Sequence, residues 1–495
     1  MLDFKVENNE AIDEIMLPRI VSSGMVLQRD MELKIWGLAP AGEQIEVKFC
    51  SKQGQEKHRT VSNSDRQWEV MLSSQKAGGP CTMEVSGAGS NLQVEDILIG
   101  EVWVCSGQSN MELPIARVKD RYPEEIAAAK NPWLRQFKID RDYDFRGPRE
   151  DLESGCWTEV NADSIFDFSA AAYFFAKKLY ELYKIPIGLI NNAVGGSPVE
   201  AWLSGEVLQD YPGKIKEAKK FVDPRKIEKV QKSEQKSIDS WSGKLAERDS
   251  GLKEERALWA SPQIDIADWS EIEIPVSFAE VGLTDFKGVV WLRKEIDLSA
   301  RLLDNSPEVR LQLGTIVDSD TAYINGQEVG RTEYRYPPRK YELSADILQP
   351  GKNIIAVRVV CNNGEGGFIK EKPYQLEIGE KTINLEEKWL YRVGARIKEP
   401  LPEETFFEWL PTGLYNGSIA PLQFYKIRGV IWYQGESNVG RAREYEELFP
   451  ALIKDWRQKW GQKSFSFLYV QLPNYGLTGE GSEGWAELRE AQLQL

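Results

Sequence analysis

The stretch Ile97 to Asn110, ILIGEVWVCSGQSN, holds the residue best set for covalent chemistry: Ser109, just past a run of apolar and β-branched residues. An apolar run of this length reads as a buried strand, Gly107 as a tight turn, and the residues from Ser109 on as the start of a helix. A hydroxyl at the carboxyl end of a buried strand stands where open α/β sheets bind ligands, and a helix amino terminus offers N–H groups to a developing oxyanion. The same position also suits a plain N-cap serine. Two later segments have the same form: strand-like Ile185 to Asn192 runs into AVGGSPVEAW (193–202), and strand-like Gly429 to Trp432 runs into YQGESN (433–438). Three strands that end in small or polar residues can meet at one sheet edge. Such a meeting suits nucleophilic attack on an acyl carbon, with amides binding the oxyanion.

GQSNM (107–111), GGSPVEAW (195–202) and WYQGESN (432–438) resemble the sequence blocks of the SGNH hydrolases, specifically the bacterial sialate O-acetylesterase type. LPTGLYNGSIAPL (Leu410 to Leu422) is similar to another stretch of that family, and the resemblance covers nearly the whole chain. It implies a flavodoxin-like parallel sheet, with Ser109 as nucleophile and the backbone N–H groups of Ser109 and Gly196 as oxyanion donors. Glycine at 196 lets the backbone approach a substrate with no Cβ in the way; a simple strand-to-loop turn is the alternative for Gly195-Gly196. Where the family has an Asn as third donor, this chain has Gln434, nearest the strand end, with Asn438 as the other candidate. No metal or organic cofactor is implied. The implied substrate is a 9-O-acetylated sialic acid or sialoglycan, with acetylated xylan or other glycans as alternatives.

The general base is the missing part. The sequence has one histidine, His58, in the polar run EKHR (56–59), where a solvated surface residue is expected. The family carries an Asp-x-x-His pair that does not occur here, so either the natural polypeptide is longer or hydrolysis has been lost and a glycan-binding homologue remains. Glu112 and Glu436 are the nearest acidic side chains, but a carboxylate of ordinary pKa is a poor base toward serine. Both read as orienting groups. For substrate contact, Arg117 can meet a sugar carboxylate bidentately, Trp202 and Tyr433 can stack on a sugar ring, and Glu436 can accept a hydrogen bond. An ion pair for Arg117 and core positions for the two aromatics fit equally.

At 495 residues the chain exceeds one hydrophobic core. A formal charge of −15 argues against a nucleic-acid partner. Five cysteines, Cys50, Cys81, Cys105, Cys156 and Cys361, lack CxxC spacing and read as buried thiols, although Cys50 and Cys81 are close enough in sequence to pair. No run of 18 apolar residues marks a membrane span. Residues 1–15 do not form a signal peptide, which leaves a cytoplasmic location open, whereas the resemblance implies a periplasmic or secreted protein; oligomeric state is not readable.

The expected layout has five parts. Residues 1–96 form an antiparallel β-sandwich, and 97–204 the first part of the α/β domain, with a helix over Ser169 to Lys184. Residues 205–258 form an inserted helical arm rich in Lys, Glu and Gln. Residues 259–395 form an inserted sandwich similar to the galactose-binding-like sandwich of β-galactosidases and β-glucuronidases, with an Asn325-Gly326 hairpin signal. In this sandwich Trp291 and Tyr323 suit packing better than sugar stacking. Residues 396–495 form the second α/β part, with a helix over Tyr445 to Trp460, a buried strand over Ser464 to Leu472, and a last helix opening near Ser482 with Glu483 in its first turn. That helix has no C-cap, so the chain looks truncated.

Overall fold

The computed structural model describes residues 13–87, 89–254, 256–304, 308–475 and 484–494, and the chain divides into two compact units, 1–227 with 406–495, and 228–405. The first unit is built on a mixed ten-stranded sheet. Its central strand, Ser90–Gly107, is 18 residues long and belongs to two neighbourhoods at once. Its first half pairs antiparallel with Gly78–Gly87, which continues to Gln44–Ser51 and Gly54–Val61. Its second half pairs in parallel with Ile187–Ala193 on one side and Gly429–Tyr433 on the other. The expected junction at residue 96 therefore falls inside one strand, which joins the larger sheet of the N-terminal β region to that of the α/β region, while Leu33–Leu38 and Gln67–Leu72 pair with each other in a separate sheet. From Ile97 onward every residue of this strand is buried, as an apolar run covered on both faces requires.

Ile187–Ala193 pairs onward with Asn131–Lys138, and Gly429–Tyr433 with Ser466–Tyr469, both in parallel. The last of these was expected to be buried. It is instead the outermost strand, and its side chains alternate, with Leu468 exposed and Phe467 packed under the helix Ala442–Lys459. The helix Ala170–Tyr183 begins where Ser169 accepts the N–H of Ala172, and it ends at Lys184 in a left-handed conformation. The 205–258 region is helical, over Pro212–Ala218 and Pro224–Arg248. Ser482 and Glu483 lie outside the described residues; the described terminal helix is Trp485–Leu493. All five cysteines are free, so Cys50 and Cys81 do not pair; Cys156 is exposed and Cys50 half-buried, which departs from the buried-thiol expectation. Among the described residues no helix is long and apolar enough to cross a membrane.

The second unit packs a six-stranded antiparallel sheet and a four-stranded one around a core that includes Leu292, Leu311, Val357 and Leu376. Asn325 and Gly326 both take positive φ in the expected hairpin turn. Trp291 is fully buried, stacked on Tyr323, with its indole N–H on Asp249. Between the sheets, Arg339 Nε meets Asp320 at 2.6 Å with neither side chain exposed.

The central strand ends at a close backbone approach. Gly107 has φ +130°, and a Cβ there would lie 2.2 Å from the carbonyl oxygen of Tyr433. Gly107→Ala is expected to destabilise the protein by about 3 kcal/mol, combining left-handed strain with overpacking; urea unfolding of the two proteins measures it.

Candidate active site

The register of the three parallel strands brings their ends level. Ala193 and Tyr433 both stand opposite Gly107, one from each side, so the three blocks leave the sheet at the same height. Gln108 precedes the short helix Ser109–Glu112 but does not cap it. Its carboxamide oxygen instead accepts the N–H groups of Gly435 (3.2 Å) and Ser437 (3.3 Å), and its own N–H donates to Tyr433 O at 2.9 Å. The first block is thereby tied to the third. Asn110 Nδ2 adds a bond of 2.8 Å to Glu436 Oε1.

Ser109 itself is exposed. A Cβ built on Gly195 would lie 3.8 Å from the Cβ of Ser109, so the glycine pair of the second block runs directly beside the serine. Glu112 Oε2 accepts the Gly195 N–H at 2.8 Å, while its other oxygen meets Arg141 Nη2 at 3.2 Å. Ser437 Oγ donates to Gly196 O at 2.7 Å, and Trp409 Nε1 to Gly195 O at 2.8 Å. Among the described residues, two N–H groups at this edge have no acceptor. That of Ser109 begins a helix and has no intrahelical acceptor, and among the described residues none stands on that of Gly196.

The carboxamides of the third block do not reach this open face. Gln434 is fully buried, and both of its amide hydrogens are used, on Asn438 Oδ1 (2.7 Å) and Ser197 O (3.2 Å). Asn438, also fully buried, accepts from the Val199 N–H and donates to Glu200 Oε2. Their place is under the second block, fixing it from below, because the strand end turns them toward the Ser197–Trp202 turn. Trp202 is fully buried with its indole N–H on Ser197 Oγ at 2.9 Å, which corrects the expectation of sugar stacking, since no face of it is free. Tyr433 is half-buried at the rim. Arg117 is on the exposed side of the 3-10 helix Ile115–Arg121.

Burial pushes the Glu436 carboxyl above its usual range, which the Asn110 bond only partly offsets, and its Oε2 is buried without a partner. His58 stands on Gly54–Val61, three strands from the central strand or about 14 Å in the hydrogen-bonding direction, with Nε2 2.9 Å from Glu56. Among the described residues no imidazole adjoins Ser109. Sequence reading missed Arg141 and Trp409. Arg141 lies in a polar stretch that reads only as loop, and Trp409 just precedes a recognised block with no spacing of its own to flag it.

Residues 99–231 and 403–495 match the family model described as carbohydrate esterase, sialic acid-specific acetylesterase. Those two stretches, a little under half of the chain, are similar to that esterase family. A mouse sialate O-acetylesterase is 30% identical over 95% of the chain, and a rat one 31% identical over 38%. The crystal structure of a carbohydrate acetylesterase from Xanthomonas citri superposes with a TM-score of 0.53 at 25% identity over 97% of the chain. The matches span 62% of the mouse protein, 37% of the rat protein and 66% of the Xanthomonas chain. The two stretches of the esterase family model contain all three blocks and Trp409, and the region between them, 232–402, lies within the second unit.

Beneath the site, Glu200 gathers Asn438, Lys214 (2.7 Å) and Arg441 (2.6 Å) around one buried carboxylate. Burial pushes that carboxyl up, but Arg441 and Lys214 outweigh it and hold it below the ordinary glutamate range. Its ionised form therefore stabilises the fold at every pH above the unfolded glutamate value, and this contribution is lost as pH falls through the depressed folded value. Glu200→Gln is expected to cost about 2–3 kcal/mol near neutrality, since both cations lose a buried partner. It should also flatten the acid limb of a stability-versus-pH curve measured by urea unfolding.

Proposed function

We propose that this protein is a carbohydrate O-acetylesterase of the SGNH type, acting on O-acetylated sialic acid, with the 9-O-acetyl ester as the first substrate to try and acetylated xylan or another acetylated glycan as alternatives. The observation that carries the reading is the exposed Ser109 beside Gly195, with the Ser109 and Gly196 N–H groups at the same strand ends unengaged among the described residues. Ser109 Oγ attacks the acetyl carbonyl carbon, and the two N–H groups bind the resulting oxyanion. The C–O bond to the sugar then breaks, the sugar oxygen takes up the proton that left Ser109, and acetyl-Ser109 remains. Water cleaves this ester and releases acetate. A base must carry the proton in both halves; the family resemblance implies an Asp-x-x-His pair for it, and Glu436 serves to orient Asn110.

Within this reading, residues 97–204 and 396–495 are the two parts of one α/β domain, and 259–395 is a galactose-binding-like sandwich set into it. Gln434 and Asn438 are positioning groups. Tyr433 and Arg117 remain candidates at the substrate rim, and the protein works on glycans in the periplasm or outside the cell. A catalytically impaired glycan binder is the second reading, favoured by the lack of an imidazole beside Ser109 among the described residues.

Acetate release from 9-O-acetylated sialic acid, followed with and without added imidazole to supply a base, tests the two readings. The esterase reading expects hydrolysis above the buffer rate that falls at least about 10³-fold in Ser109→Ala. Turnover that Ser109→Ala leaves intact would remove the nucleophile. Sugar binding without turnover under either condition would establish the binder.

A further inference from the structure

We infer that Trp409 is a positioning residue of the oxyanion site, aiming the Gly196 N–H through the peptide group that joins Gly195 to Gly196; this rests on the reading of Ser109 and Gly196 proposed above. Trp409 Nε1 donates to Gly195 O at 2.8 Å. That carbonyl and the Gly196 N–H belong to one planar trans peptide and point in opposite directions. Holding the oxygen from the indole side therefore aims the N–H away from the indole, and a hydrogen bond on the carbonyl polarises the peptide so that its N–H becomes a stronger donor.

Two further observations point the same way. Of the four polar backbone groups of Gly195 and Gly196, three are held by side chains: Glu112 on one N–H, Trp409 on one carbonyl, Ser437 on the other. The fourth, the Gly196 N–H, alone has no acceptor among the described residues. The indole also fills the space above Gly196, where φ is +77° and an added Cβ would meet Trp409 Cζ2 at 2.1 Å. Trp409 is itself braced, stacked on Phe406 with ring centroids 4.0 Å apart. It acts on the reacting atoms through Gly196, without touching them.

The sequence supplies a direct probe. It contains three Gly-Gly pairs, 78–79, 195–196 and 366–367, so labelling with [1-13C,15N]glycine leaves three peptide groups carrying both isotopes and three peaks in a carbonyl–nitrogen correlation spectrum. Trp409→Phe keeps a ring and removes the N–H. The expected result is a displaced 195–196 peak with the other two unmoved, and a kcat for p-nitrophenyl acetate, measured with added imidazole, lowered about tenfold at unchanged KM, less than loss of a whole donor. If the phenylalanine variant does not fold, benzothienylalanine at 409, which keeps the bicyclic ring and lacks the N–H, replaces it in the same measurements. An unmoved 195–196 peak, an unchanged kcat, or a raised KM alone would overturn the inference, the last making Trp409 a wall for the sugar. If the parent protein hydrolyses the ester while the variant is unaffected, only this inference falls. If the parent shows no Ser109-dependent hydrolysis, the esterase reading fails and takes the inference with it.

Discussion

The molecule depends on one residue, Gly107, being paired on both sides at the end of the central strand. Ala193 and Tyr433 reach it from opposite neighbours, and that register decides which atoms of three distant segments become adjacent. Individually such backbone bonds contribute only about 1 kcal/mol each. Their value is in register: a slip of one residue would reverse every side chain along the strand and place Ser109 on the wrong side of its turn. The side chains that follow reinforce the pairing, with Gln108 taking two N–H groups of the third block and Glu112 one of the second.

Under this layer is a second one made of groups that usually favour water. Gln434, Asn438, Glu200 and Arg441 form a continuous chain of hydrogen bonds whose first three members are almost wholly buried. Leaving any of them unpaired in that environment would cost more than the bond is worth when made. Almost every donor and acceptor accordingly has a partner; Gln434 Oε1 is the exception. The arrangement fixes the Ser197–Trp202 turn from below, which in turn holds Gly195 and Gly196 at the level of Ser109.

How much of this could be read from residues alone follows from what pattern encodes. An apolar run such as ILIGEVWV and the ends GQSN, GGS and YQGESN specify strands, turns and their chemistry locally, so the central strand, its two neighbours and the exposure of Ser109 were all readable. Pattern does not say which way a carboxamide faces once its strand is paired. Gln434 looked like a donor because it ends a strand, yet pairing turned it inward. Nor does pattern reveal that a strand is shared: the turn-rich region before Ile97 has the alternation of a separate sandwich, while the 18-residue strand Ser90–Gly107 carries one of its sheets on into the α/β region and Leu33–Leu38 with Gln67–Leu72 pair apart from it. Trp409 went unread because its importance is in one indole hydrogen aimed at a carbonyl more than 200 positions earlier in the chain.

The separation between Gly107 and Gly429–Tyr433 also bears on how the protein is made. Residues 228–405, a compact unit in their own right, are synthesised before the third strand exists. At about 5–20 residues per second that wait runs from about ten seconds to over half a minute. During it the Trp103–Gly107 edge has no partner on one side, a row of bare amides and carbonyls open to any extended peptide nearby. Until Gly429–Tyr433 arrives, the edge that later completes the serine's surroundings is a template for aggregation.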